Sequence, residues 1–341
     1  MTDFTCGIAG LGWVTPLGNE LRAVADAIAH GAVVLPQRVA NPETGREHFY
    51  LPVAAEAVGH LTRHPRLRRS SVISYFAVAA AEAALADAEV TVTPEIAART
   101  AIVLAVSNGG VVYTRRFYEQ IAKGGASSAS PLLFPETVYN APASHLAAVL
   151  GIDGATYTLV GDNSIGLSAL HFGAQLIALG EADHCLVVGS EELDWILCEA
   201  YRDWRLTRTP LAEGAGAILL ARRGPLQLST HPGVPFFRQK EAGAALARAL
   251  AETPAVSSAD YIVASANDTF ADVQERAALS ARLPEVALTT PKRTLGEAPG
   301  ASALWQAICA ALAVRSGHAT GALVSAIGFN QQASAAFVTS A

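Results

Sequence analysis

Charge is scarce in this chain. Only 16% of its 341 residues are Asp, Glu, Lys or Arg, and 24 basic residues against 30 acidic ones leave a net charge of −6. So mild a balance excludes the basic footprint of a nucleic-acid-binding protein and the charged, apolar-poor composition of a disordered one. Cysteine is also sparse: Cys6, Cys185, Cys198 and Cys309 fall at no metal-ligand spacing, so no metal centre is expected. No apolar run reaches the roughly 18 to 20 residues of a membrane span. The opening Met-Thr-Asp-Phe lacks a basic stretch and a long apolar run, which makes the cytoplasm the expected compartment. What the chain does have is apolar mass, 51% of its residues, and 28 glycines. These predict a heavily buried protein of one large or two ordinary domains, with close helix–sheet packing and a subunit interface that hides further surface.

The stretch 156–180 organises the rest. Residues 157–160 form a β-branched and aromatic run, and Gly161-Asp162-Asn163-Ser164 breaks it with residues suited to tight turns and caps. Ile165, Leu167, Leu170, Phe172, Leu176 and Leu179 then crowd most sides of a helix, which predicts a buried one. A strand, turn and helix in this order present the turn residue at the helix N-terminus, where unpaired N–H groups and the macrodipole can hold a thiolate, an oxyanion or a carbonyl oxygen. That is a seat for a nucleophile, yet Asn163 occupies it and Asn is no nucleophile. An Asn in such a turn can hydrogen-bond a carbonyl, but its commonest role is a helix cap.

Around this stretch, residues 6–12 read as a buried strand. The order of Gly7, Gly10 and Gly12, with Thr15-Pro16 behind them, does not suit a dinucleotide loop. Residues 21–31 predict an amphipathic helix, 32–66 an irregular segment, and 72–89 a long Ala-rich helix preceded by a basic run holding Arg63, Arg66, Arg68 and Arg69. Continuous apolar strands are expected at 100–107, 184–191 and 213–222. Strands at 226–230, 261–267, 286–292, 321–327 and 333–339 then alternate with helices at 241–251, around Asp272 and Glu275, and at 300–315. Two runs of the same order side by side argue an internal duplication.

Taken together, these motifs resemble the β-ketoacyl synthase (condensing enzyme) family of the thiolase fold over nearly the full chain. The resemblance is carried by the first strand and turn at 10–18, the Pro/Asn segment 131–140, the nucleophile turn 161–170 and Glu213-Gly-Ala-Gly216. Asp272 and Glu275, the lysine motif Thr290-Pro-Lys292-Arg-Thr-Leu-Gly296, and Gly328-Phe329 complete it. It implies an α/β, thiolase-like duplicated αβαβα layered fold, with halves at 1–223 and 224–341 packed as one unit, and no cofactor. In active members a Cys attacks the acyl thioester, and two His polarise the malonyl thioester and stabilise the oxyanion. The matching positions here hold Asn163, Asn267 and Glu297, while Lys292 is retained. Ser164 stands beside Asn163 with no His in the other motifs to activate it. His145, His171, Cys185 and Cys198 read as structural residues.

This profile resembles the chain-length-factor (KSβ) branch, whose turn carries an amide in place of the Cys. The resemblance implies a catalytically inactive subunit that forms a heterodimer with an active ketosynthase in type II polyketide or aryl-polyene-type biosynthesis and shapes the tunnel for the growing chain. An acyl carrier protein is then a further partner, met directly or through the synthase, and the basic run could attract it. The strand Ala155, Thr156, Tyr157, Thr158, Leu159 and Val160 is expected at the dimer interface. Tyr113, Phe117, Tyr118, Leu132, Leu133, Phe134 and Phe329 are the expected tunnel residues, with ordinary core as the competing reading. Two other functions remain open: a malonyl decarboxylase or acyltransferase using Glu297 and Lys292, and a noncatalytic acyl-binding homodimer. The segments after Leu193 and around 221–242 are short for the family, which suits a subunit that never loads an acyl group.

Overall fold

The computed structural model of the chain describes residues 4–265 and 269–341, so Asn267 lies outside the described residues. The chain opens with β1 (Phe4–Val14), α1 (Leu21–Ala29), β2 (Gln37–Ala40), β3 (Glu47–Leu51), α2 (Val72–Asp87) and α3 (Pro94–Ala98). There follow β4 (Thr100–Val106), α4 (Val111–Gly124), α5 (Ala141–Leu150), β5 (Thr156–Val160), α6 (Ile165–Ala178), β6 (His184–Glu191), α7 (Trp195–Asp203), β7 (Leu211–Ala212) and β8 (Gly214–Ala221). The remainder is β9 (Leu226–Thr230), β10 (Val234–Pro235), α8 (Ala242–Glu252), β11 (Tyr261–Val263), α9 (Phe270–Arg282), β12 (Leu288–Thr289), α10 (Lys292–Leu295), α11 (Ser302–Arg315), β13 (Gly321–Ile327) and β14 (Gln332–Ser340).

The strands pair in the order β12-β11-β13-β14-β9-β1-β8-β6-β4-β5. Read outward from the central antiparallel pair β1 and β9, the two halves have the same plan. β8, β6, β4 and β5 on one side answer β14, β13, β11 and β12 on the other, each ending in two parallel pairings. The duplication expected from the sequence is therefore present in the topology, and the architecture is thiolase-like.

Alternation along the strands explains why they read as continuous apolar runs. In β4, Ala101, Val103 and Ala105 face a middle layer formed by α6 and α11, whereas Ile102, Leu104 and Val106 face α2 and α5. In β13, Ala322, Val324 and Ala326 face the same middle layer, and Leu323 and Ile327 face α8 and α9. A strand covered on both faces has no polar face to display. Gly10 and Gly12 serve this packing: a Cβ on either would lie 2.2 Å from a backbone oxygen of α2, Ala84 and Ala80 respectively.

Two expectations are corrected. Residues 32–66 are not wholly irregular, since β2 and β3 form a hairpin closed by Asn41, whose Oδ1 accepts from the N–H groups of Glu43 and Thr44. Its strands lack apolar alternation because β2 is largely exposed, and β3 is also held by β7, some 160 positions away. The strand expected at 286–292 shrinks to β12, and Lys292 opens the short α10 instead. Residues 111–124 and 195–203 form helices α4 and α7. Among the described residues no helix is long and apolar enough to cross a membrane.

Candidate functional site

The turn between β5 and α6 is buried, and its side chains point across the molecule rather than into the helix. Asn163 is fully buried; its Nδ2 donates to the carbonyl of Ile327 at 3.3 Å, and its Oδ1 accepts from the N–H of Phe329 at 3.2 Å. It does not cap α6, contrary to the commonest role of Asn in such a turn. Ser164 is the N-cap and makes no side-chain capping bond; its N–H and hydroxyl instead donate to Asp162 Oδ1 at 2.9 Å and 2.7 Å. The other oxygen of Asp162 accepts from Asn330 N. A Cβ at position 328 would sit 2.2 Å from that oxygen, so Gly328 is what lets the carboxylate approach. Asp162 and Asn163 together clamp the loop 328–330 over the start of α6.

Phe329 in that loop meets Tyr201 of α7 edge-on, with ring centroids 5.9 Å apart. The Tyr201 hydroxyl lies 3.4 Å from both Asn108 Nδ2 and Ser107 Oγ, and burial with the nearby charges of Glu191 and Glu297 pushes its phenol above the usual value. Val111, Leu193, Leu197, Cys198 and Leu211 close around the pair. On the far side of Tyr201 stands a buried ion pair: Lys292 Nζ is 2.9 Å from Glu297 Oε2, with side chains 1% and 0% exposed. Among the described residues Glu297 Oε1 has no hydrogen-bond partner. The Glu297 backbone is fixed on both sides, donating to Pro210 O and accepting from Ala212 N. Lys292 also acts on Glu275, whose pKa burial raises to about 7 while Lys292 draws it down. Glu275 accepts from Ser265 N and from Ser325 Oγ at 2.6 Å.

A row of buried carboxylates at the end of β6 holds the surrounding helices in place. Glu192 accepts from Ser71 Oγ and Ile73 N at the start of α2 and from Val112 N in the first turn of α4. Glu191 accepts from Asn108 and from Gly300 N ahead of α11; burial pushes its pKa to about 8 and these hydrogen bonds oppose the rise. Glu213 bonds Leu193 N and Val53 N and is pushed by burial to about 7. Glu136 receives Ser71 N and His145 Nε2. Glu192 thereby satisfies N–H groups in the first turns of α2 and α4, whereas Glu191 and Glu213 bond N–H groups of connecting segments. Glu213 stands in the Glu213-Gly-Ala-Gly216 motif, but sequence reasoning gave Glu136, Glu191 and Glu192 no role; the available signal was a Glu191-Glu192 pair closing an otherwise apolar strand.

β5 is the edge of the sheet. It pairs with β4 on one side alone, and Tyr157 and Val160 on it are 37% and 51% exposed. Nearby in the sequence of elements, Tyr118, Leu132, Phe134, Val138 and Tyr139 form further exposed apolar surface, with Phe117 stacked against Phe134 and Tyr118. Unpaired strand edges with apolar side chains are templates for pairing with another chain.

Residues 7–224, about two thirds of the chain, match the beta-ketoacyl synthase N-terminal domain. The chain belongs to the β-ketoacyl synthase family. Within that family it is 28% identical over 192 residues to a putative polyketide beta-ketoacyl synthase 2 of Streptomyces cyaneus. It is 23% identical over 187 residues to 3-oxoacyl-[acyl-carrier-protein] synthase 2 of Vibrio cholerae. Each match takes in 54% of this chain and 45% of the relative, so the chain spans about half the length of the curated relatives it matches. Among solved structures, the fold is shared with the ishigamide ketosynthase/chain length factor at a TM-score of 0.81, 22% identity and 99% coverage of both chains. It is shared too with a Xenorhabdus doucetiae ketosynthase in complex with its chain length factor, at a TM-score of 0.80, 16% identity and coverage of 99% and 98%. A Burkholderia phymatum beta-ketoacyl synthase gives 0.85 at 16% identity over the whole of both chains.

The structure joins Asn163 to Phe329 and Phe329 to Tyr201 by direct contact, and the buried Lys292–Glu297 pair lies close enough to Tyr201 for the Glu297 charge to act on its phenol. Tyr113 is partly buried on α4 beneath Arg116, whereas Tyr118, Leu132 and Phe134 are largely exposed. His145 is bonded to Glu136 and His171 to Thr230. Cys185 and Cys198 are buried with raised pKa values, Cys198 to about 12, which leaves neither as a thiolate near neutrality. Tyr201 was not singled out from the sequence, because nothing local to α7 marks it.

Proposed function

We propose that this chain is a chain-length-factor-like subunit that pairs with a catalytic β-ketoacyl synthase and takes no nucleophilic part itself. The observation that carries the reading is Asn163. The position at the head of α6 holds an amide whose donor and acceptor are both committed to the loop 327–329, so no nucleophile is presented there. The exposed edge of β5, residues 155–160, supplies the surface for the partner, and the aromatic face of Phe117, Tyr118, Leu132, Leu133 and Phe134 lines the tunnel shared with it. Tyr113 and Phe329 stand behind that face. The halves 1–223 and 224–341 act as one rigid body, and an acyl carrier protein is met through the synthase or at the basic run 63–69. Polyketide or aryl-polyene-type products fit this role.

Co-expression with a Cys-bearing ketosynthase from the same gene neighbourhood, followed by mass analysis of the complex and a carrier-protein elongation assay, tests the proposal. A one-to-one complex whose elongation requires this chain is the expected result. A homodimer that ignores the synthase and turns over acyl or malonyl thioesters alone would overturn it. The second reading, a thioester-acting enzyme, rests on the Lys292–Glu297 pair and the unpartnered Glu297 Oε1. Glu297→Gln separates the two, since an accessory subunit keeps supporting its partner while an acid/base enzyme loses turnover.

A further inference from the structure

A cleft of about 560 Å³ that shares Tyr201, Cys198 and Leu211 with the site above lies between β3, the end of α7 and the segment leading to β7. That is within the size range of small-molecule sites. Its walls join Phe49 and Leu211 to His48, Arg202, Arg205 and Arg208, with Tyr201 and Cys198 at the floor. The carboxylates on or beside it are already engaged: Glu47 pairs with Arg38, Glu199 with Arg46 and Asn41, and Asp203 with Arg202. Arg205 and Arg208, by contrast, have no ion-pair or hydrogen-bond partner for their guanidinium groups among the described residues, which leaves two uncompensated cations in one concavity.

His48 is the second observation. It lines the cleft as a residue only 5% exposed, and its Nε2, itself out of contact with solvent, has no hydrogen-bond partner among the described residues, so a ligand reaches it only with a small turn of the ring. Burial and the Arg202 guanidinium hold the imidazole below its usual pKa, so near neutrality it is an uncharged group with an unmet valence. A buried polar atom without a partner costs free energy that a ligand can recover. Arg205 also adopts a left-handed backbone, φ 55°, unusual for a residue with a side chain and of the kind that gathers at ligand sites.

We infer that this cleft binds a phosphate monoester carrying an apolar group. Guanidinium forks recognise phosphate oxygens bidentately, and two of them with an imidazole suit a tetrahedral anion better than a planar carboxylate. Phe49 and Leu211 would take the apolar part. The inference is independent of whether the chain pairs with a synthase.

The test is a titration of the full chain with phenyl phosphate, inorganic phosphate and benzoate, following the His48 imidazole by NMR and the affinity by calorimetry. Saturable binding of phenyl phosphate, tighter than either other probe, with an upward shift of the His48 pKa, is expected. Arg205→Ala and Arg208→Ala each weaken it by at least about tenfold, as loss of a charge-assisted pair requires. Both arginines are exposed, and Arg208→Lys, which keeps the charge but not the fork, should weaken binding by an intermediate amount. No saturable binding at millimolar concentration, equal binding of benzoate, or alanine variants that bind like the parent would each overturn the inference.

Discussion

The Lys292–Glu297 pair offers the sharpest test of how this site is built. Both groups are out of water, and Lys292 is within hydrogen-bond distance of Glu297 at 2.9 Å. Replacing Lys292 by Met strips Glu297 Oε2 of its partner when Oε1 already has none, so a carboxylate is left buried without compensation. Breaking a buried pair from one side typically costs about 3–5 kcal/mol, whereas replacing both partners by apolar residues of similar volume is near neutral or stabilising by about 1–4 kcal/mol. Lys292→Met should therefore be destabilising by about 3 kcal/mol or more, and Lys292→Met with Glu297→Leu should recover most of the loss. Glu297→Gln should cost less than Lys292→Met, about 2 kcal/mol, because Lys292 keeps the attraction of Glu275. Urea unfolding near neutral pH, followed by circular dichroism, measures all four proteins. A single Lys292 variant as stable as the parent, or a double variant no more stable than Lys292→Met alone, would refute the reasoning.

Other outcomes follow from the same geometry. Glu191, Glu213 and Glu275 have pKa values raised from 4.5 to about 8, 7 and 7 by burial. The folded state therefore binds protons that the unfolded chain has released. Their contribution is full below pH 4.5, falls as pH rises by about 1.4 kcal/mol per unit for each group, and is gone above about 8. Unfolding free energy measured from about pH 5 upward should fall toward pH 8, and a flat or rising profile would contradict these shifts. Asp162→Asn removes an acceptor for Asn330 N and should cost about 1.5–3 kcal/mol. It should also speed amide exchange at 328–331, and unchanged exchange there would mean the clamp does not hold the loop. Val160→Lys places charge on the exposed β5 edge, so monomer stability should stay within about 0.5 kcal/mol while assembly with a synthase is lost; Tyr157→Asp should block assembly as well but cost about 1–3 kcal/mol of stability, because Tyr157 meets Phe172 edge-on at 4.9 Å. A complex that survives both substitutions would exclude this edge as the interface.

Much of the fold was legible in the sequence because it rests on local patterning. Strands β4, β6, β8 and β13, covered on both faces, had to be apolar throughout, and the turn between β5 and α6 had to carry small polar residues. The repeated order of strands and helices gave the duplication. The hairpin β2–β3 escaped notice because its strands have no continuous apolar face, and its pairing with β7 is set by residues far along the chain. The candidate site divides in the same way. Asn163, Lys292 and Glu297 could be picked out by motif, but the capping role expected of an Asn in such a turn is not the one Asn163 fills. Only the tertiary structure joined Asn163 to Phe329 and Phe329 to Tyr201 and set the Lys292–Glu297 pair near them, and only it revealed Glu191 and Glu192 at the end of β6 holding the starts of α2 and α4 and the segment ahead of α11. Periodicity records which face of an element is buried. It does not record which distant element supplies the other half of a hydrogen bond or an ion pair, and that partner decides what each polar side chain in this site can do.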